Sequence, residues 1–235
     1  MIGAETFATD SFPVVVRDDV LDGLRFAWDR IAAPGTWWTG VERVAIAATA
    51  RAAEPRPLWN RRPGTVDDLA ATSVSGEVLS PLAVDTVERV ATEAASLTRA
   101  WCDAVVARLG DAPYAELVAV AIVAVTADRF CAALGRALEP LPAPHPGDPS
   151  RARPTDVDDD GAWIPMTVPW SGPNVGRALS LVPDDNLLRL GLVGALYAGA
   201  LGADFGRLVW DHRPLSRPQV ELMAARVSVL NECFY

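Results

Sequence analysis

The sequence predicts an all-α fold, and three observations carry that expectation. Apolar residues recur at i, i+3, i+4 and i+7 in segment after segment, the period of a helix with one buried face. Helix start and stop signals bracket those segments: Asp18/Asp19, Thr39, Ser80-Pro81 and Asp111 at the front, Pro34-Gly35, Gly110 and Gly135 behind. No run up to the Pro-rich stretch alternates as a strand would.

Taken in order, Asp18 or Asp19 caps a first helix over 17–33 carrying Val20, Leu21, Leu24, Trp28 and Ile31. Thr39 and Glu42 have capping-box spacing and predict a helix over 39–53. Residues 55–79 read as polar and irregular, with Pro63-Gly64 as a turn. Ser80-Pro81 opens a helix through Ala95, and another runs from Leu97 to Leu109. Asp111 caps a long apolar helix from Ala112 to Leu134. Residues 139–173 are Pro-rich and acidic, a loop long enough to imply a function or mobility. A short helix follows from Asn174, and Asp184 or Asp185 caps the next, with Leu188, Leu192, Ala195 and Leu196 on one face. Gly199 continues that face without a side chain, which allows close helix approach, and Gly202 ends the helix.

The last helix, over 215–231, starts at Ser216 and Pro218. Its spacing predicts a buried face of Val220, Met223, Ala224, Val227 and Leu230. Asn231 ends it, since Asn tolerates the left-handed conformation. Glu-Cys-Phe-Tyr follows.

Composition narrows the function. The net charge of −9 argues against nucleic acid as a partner, because phosphate neutralisation needs a basic surface. All 21 basic residues are Arg. Three cysteines do not suit a secreted disulfide framework, no signal peptide is read at the N-terminus, and the longest apolar run, Leu117 to Val125, falls short of a bilayer span. A cytoplasmic protein, not a membrane protein, is expected.

The segment Leu215 to Tyr235 resembles the redox helix of the alkylhydroperoxidase D / carboxymuconolactone decarboxylase superfamily, and most closely its peroxidase-related branch. That pattern reads roughly L-S-x-x-x-x-E-L-x-A-x-R-V-x-x-L-N-x-C-x-Y-C. Leu215, Ser216, Glu221, Leu222, Ala224, Arg226, Val227, Leu230, Asn231, Cys233 and Tyr235 match it. Residues 114–135, Gly161 to Met166 and 174–182 also resemble that branch, which implies that Gly161–Met166 is ordered over the site. The resemblance implies a helical bundle of alkylhydroperoxidase D type with two related halves. These are an N-terminal half over 1–138, the loop over 139–173 and a C-terminal half over 174–235. The helix after Thr39 reads as a worn copy of the last one. Superposing Glu42 on Glu221 puts Glu54 and Pro57 where the redox pair would be, and neither does thiol chemistry.

The function implied is thiol- or selenol-dependent hydroperoxide reduction, an antioxidant activity. A Cys-x-x-Cys or Cys-x-x-selenocysteine pair attacks the peroxide with its second member and resolves with its first. Cys233 matches the resolving member, and the pattern's next residue and its later His are not in the sequence. The expectation is therefore a truncated, poorly active form, ending where a UGA selenocysteine codon would be read as stop. Glu221 matches the proton-relay carboxylate, so it is expected to point inward toward Cys233's pocket, with burial tuning its pKa. In a straight helix the step from residue 221 to 233 is about 18 Å, so the two meet only if the chain turns back after Asn231. The bland alternative is a solvent-facing Glu221 balancing Arg226. A hydroperoxide substrate, an unknown thiol donor and a homo-oligomer complete the implied picture, with no cofactor and no metal.

The rival reading is a non-catalytic helical protein that has lost its redox site and acts by binding or oligomerisation. Decarboxylase or lactone chemistry fits Cys233 and Tyr235 less well. Cys102 and Cys131 read as buried structural thiols, and His145 and His212 as structural. Asp156 to Gly161 copies the start of an EF-hand loop, but Thr167 stands where a bidentate Glu is needed, so it reads as a solvated loop.

Overall fold

In the computed structural model residues 6–57, 60–62, 66, 69, 72, 76–198 and 214–231 are described, residue 198 by its backbone alone. The expected turn at Pro63-Gly64, the expected break at Gly199 and Gly202, and His212, Cys233 and Tyr235 lie outside the described residues.

The all-α expectation holds. Helices α1 (Asp18–Ala32), α2 (Gly40–Ala52), α3 (Pro81–Thr92), α4 (Arg99–Leu109), α5 (Asp111–Ala133), α6 (Asn174–Arg177), α7 (Pro183–Val193) and α8 (Arg217–Leu230) account for most of the described chain. A two-stranded antiparallel pair, β1 (Val157–Asp158) and β2 (Met166–Thr167), is the sheet among the described residues, with Val157 opposite Thr167.

Local chemistry sets several of these boundaries. Thr39 Oγ1 accepts from the Glu42 N–H at 3.3 Å while Glu42 Oε2 accepts from the Thr39 N–H at 2.8 Å, the reciprocal capping box expected from the sequence. Ser80 Oγ caps α3 through the Ala83 N–H at 3.1 Å, with Pro81 at the first helical position. Gly110, at φ 92°, both ends α4 and leads into α5, a conformation that a β-carbon would disfavour.

Three expected caps differ. Asp111 is the first residue of α5, after Gly110, and accepts from the Ala112 N–H at 2.7 Å. Asp18 and Asp19 lie inside the first turn of α1, after Arg17, where they face the positive end of the helix dipole. Asp185 does not cap α7: its side chain turns into the core, and Val182 precedes the helix.

Helix α5 is apolar around most of its circumference and occupies the centre, as such a helix must. One side, through Leu117, Val120, Ala124 and Cys131, packs with α1, α2, α3 and α7. The other, through Ala112, Ala115 and Ala119, packs with Trp101 and Val105 of α4 and with Ile164 and Leu181. Ile164 thus places the Gly161–Met166 segment over this second cluster.

The Pro-rich loop is pinned to the α1–α2 turn by its own backbone. The His145 N–H reaches the Ala32 carbonyl at 2.8 Å, Arg151 reaches Thr36 at 2.7 Å, and Trp28 Nε1 donates to Pro140 O at 2.8 Å. These bonds satisfy groups that a long irregular segment would otherwise leave unpaired.

Helix α7 continues into a π segment, Gly194–Ala198. Arg17 Nη2 donates to the Ala195 carbonyl at 2.9 Å, meeting a carbonyl at this irregular turn.

The main correction to the sequence reading is α8. Ser216 and Gln219 start it as a capping pair, the Ser216 N–H donating to Gln219 Oε1 at 2.8 Å, and Asn231 ends it at φ −90°, which is not left-handed. Its expected buried face is not formed. Of Val220, Met223, Ala224, Val227 and Leu230, only Val220 is buried, because no layer of the described body lies beneath the rest.

Candidate functional site

Glu221 sits in the second turn of α8, and Tyr197 comes from the π segment after α7. The Tyr197 hydroxyl donates to Glu221 Oε2 at 2.8 Å, and Arg217, one helical turn back, brings Nε to 3.4 Å from Oε1. The Glu221 side chain is 45 % exposed. The burial expected of Glu221 from the sequence is therefore not found, because most of the helix that carries it faces solvent. The charge partner is Arg217 and not Arg226. Cys233 lies outside the described residues. Glu54 and Pro57, the superposed redox positions of the expected repeat, are exposed in the segment after α2.

A second polar cluster is fully enclosed. Arg43 of α2 donates through Nη1 to Glu116 Oε1 of α5 at 2.5 Å and through Nη2 to Asp185 Oδ1 of α7 at 2.7 Å. Nη2 also reaches the Arg30 carbonyl at 3.2 Å, and the Trp37 N–H donates to Glu116 Oε2 at 2.5 Å. All three side chains are buried. Burial, reinforced by the Asp185 charge, pushes the Glu116 carboxyl up against the opposing pull of Arg43. Burial also disfavours the Arg43 charge, but the two carboxylates more than offset this and hold it above its ordinary value. The cluster ties three helices through one buried guanidinium, so its part is to fix α2, α5 and α7.

The two described cysteines lie in the core, unpaired by any disulfide, as expected. Burial pushes the Cys102 thiol up despite its hydrogen bond with Tyr114, whose own hydroxyl is pushed well above the usual range by burial. Arg136 Nη1 donates to Cys131 Sγ at 3.4 Å, and the same guanidinium is held by Glu139 at 2.6 Å. Neither thiol has the exposure that a redox cysteine needs.

The Asp156–Gly161 run is tied to α6, with Arg177 Nη2 donating to Asp160 Oδ2 at 3.1 Å. Among the described residues no group of His, Cys, Asp and Glu has the arrangement of a metal site. No described helix is long and apolar enough to cross a membrane.

Compared with protein-family models, curated proteins and solved structures, the chain matches none.

An apolar groove of about 810 Å³ lies between α1 and α7, floored by Leu188, Leu192 and Ala195 and walled by Phe26 and Leu187. Asp19, Asp22 and Asp184 stand on its rim, with Arg30. Sequence reasoning missed this groove, Tyr197 and the Arg43 cluster. The 3.6 period runs on through Ala195 and Leu196 without marking the π turn that directs Tyr197. An Arg, a Glu and an Asp on three helices far apart in sequence carry no local sign of their pairing.

Proposed function

We propose that the chain is a hydroperoxide reductase of alkylhydroperoxidase D type, with Cys233 as the resolving thiol and Glu221 as the proton relay. The observation that carries this reading is the eleven-position pattern from Leu215 to Tyr235. The hydrogen bond from Tyr197 to Glu221 supports it, since it fixes the relay carboxylate against a second proton-bearing group. In this reading the attacking group stands three residues after Cys233. As thiolate or selenolate it takes the distal peroxide oxygen and releases the alcohol. The Cys233 thiol then condenses with the resulting sulfenic or selenenic acid and expels water, and an external thiol reduces the bond formed. The proposed setting is the cytoplasm.

The test is dithiothreitol-dependent consumption of an organic hydroperoxide by the chain as given and by the chain with one cysteine appended after Tyr235. The appended form is expected to turn over and to lose that turnover on Cys233→Ser. An appended form no faster than the chain as given refutes the reading.

A second reading, a helical protein that works by binding or oligomerisation, is favoured by a separate observation. Helix α8 keeps five large apolar side chains on the surface. Chains of this kind are expected to be oligomeric in solution.

A further inference from the structure

Helix α8 has two unlike faces. Val220 is buried, and Glu221 accepts from Tyr197 and from Arg217. The rest of the circumference carries Leu222, Met223, Val227, Val229 and Leu230, each 50–71 % exposed. A fourteen-residue helix with so little packing is marginal in water, and its stability must come from an apolar face buried elsewhere. The one charge set among these five side chains at helical spacing is Arg226, which makes no ion pair among the described residues.

The same chain carries the complementary surface. The α1–α7 groove is apolar at its floor, two of its walls are exposed Phe26 and Leu187, and its rim carries Asp184 and Arg30 beside Asp19 and Asp22, which pair with Arg17 and Arg25. Asp184, exposed in the first turn of α7, makes no ion pair among the described residues. Apolar helix meets apolar groove, and the cationic side chain meets the carboxylate of Asp184.

We propose that the groove is the seat for α8 of a second copy of this chain, exchanged reciprocally in a two-fold dimer, with Arg226 of one copy against Asp184 of the other. The proposal rests on the oligomerisation reading and gives it a surface. A helix about 21 Å long presents about 400 Å² on one face. With the groove and both exchanges counted, about 1,200 Å² is buried, the lower end of the range for stable interfaces. A two-fold exchange also closes, so neither surface is left open for further growth.

The test is sedimentation of the full 235-residue chain from 1 to about 100 μM, with circular dichroism to confirm that each variant keeps its helices. The wild type is expected to be dimeric. Met223→Glu with Val227→Glu alters only exposed positions and is expected to give a folded monomer. Arg226→Asp and Asp184→Arg are each expected to weaken the dimer at least about tenfold, and the two together to recover most of it. A wild type that stays monomeric overturns both the oligomerisation reading and this surface. An oligomer that Met223→Glu with Val227→Glu leaves intact overturns this surface alone. Single charge reversals that weaken the dimer without recovery in the pair overturn the seating, and a larger ring overturns the reciprocal exchange.

Discussion

The Tyr197 hydroxyl lies 2.8 Å from Glu221 Oε2 and bridges the π segment after α7 to the second turn of α8. The contact is at the surface, so its weight in stability is small, on the order of 1 kcal/mol or less. Its weight in chemistry is testable apart from stability. In the chain with a cysteine appended after Tyr235, Glu221→Gln is expected to lower hydroperoxide reduction by about 10²-fold or more, the range for loss of an acid–base group. Tyr197→Phe is expected to lower it less, and thermal midpoints are expected to stay within a few degrees for both. Equal activity in all three proteins removes Glu221 from the relay.

Arg43 is the tie between α2, α5 and α7. Arg43→Met leaves Glu116 and Asp185 buried without their cation and is expected to cost about 3–5 kcal/mol in urea unfolding. Replacing Arg43, Glu116 and Asp185 together by Met and Leu is expected to recover most of that loss, because no charge is then left unpaired. Gly35→Ala tests the same place from outside. A β-carbon there falls on the Glu116 carboxylate and the Arg43 guanidinium, and about 1–3 kcal/mol of destabilisation is expected.

Asp111 gives a pH signature. The Arg153 guanidinium, at 2.5 and 2.7 Å, and the Ala112 N–H hold its carboxyl below the ordinary value. The folded state therefore binds this proton less readily than the unfolded chain. The stabilisation is present above the unfolded pKa, near 4, and is lost as pH falls through the lower folded value. Asp111→Asn is expected to be slightly less stable than wild type at pH 6, with the gap narrowing as the pH is taken below about 4. The effect is small because both partners are partly in solvent. Urea midpoints at the two ends of this range decide it.

Cys102 and Cys131 are expected to resist thiol reagents in the folded protein. Both are enclosed, and burial disfavours the Cys102 thiolate. Peptide mapping after treatment with iodoacetamide should find neither modified in native buffer and both modified in urea. Native labelling of either at the rate of a free thiol would place it nearer the surface than the fold allows.

The sequence by itself determined the helices. Caps such as Thr39–Glu42 and Ser80-Pro81, and stops such as Gly110, act within one turn, so their meaning survives without knowledge of the fold. The mostly apolar α5 declared its central place for the same kind of reason, since so wide an apolar circumference must be buried. The sequence also marked Glu221 and Cys233 through a pattern, but it could not say what surrounds Glu221. Periodicity shows that a helix has an apolar face and not what that face meets. The tertiary structure decided this: in α5 and α2 the apolar face meets other helices of the chain, while in α8 the same kind of face meets solvent. It also decided that Arg43, Glu116 and Asp185 meet and that a π turn directs Tyr197 to Glu221. Those relationships join segments far apart in the chain, and distance along a sequence carries no information about distance in space until the backbone has closed.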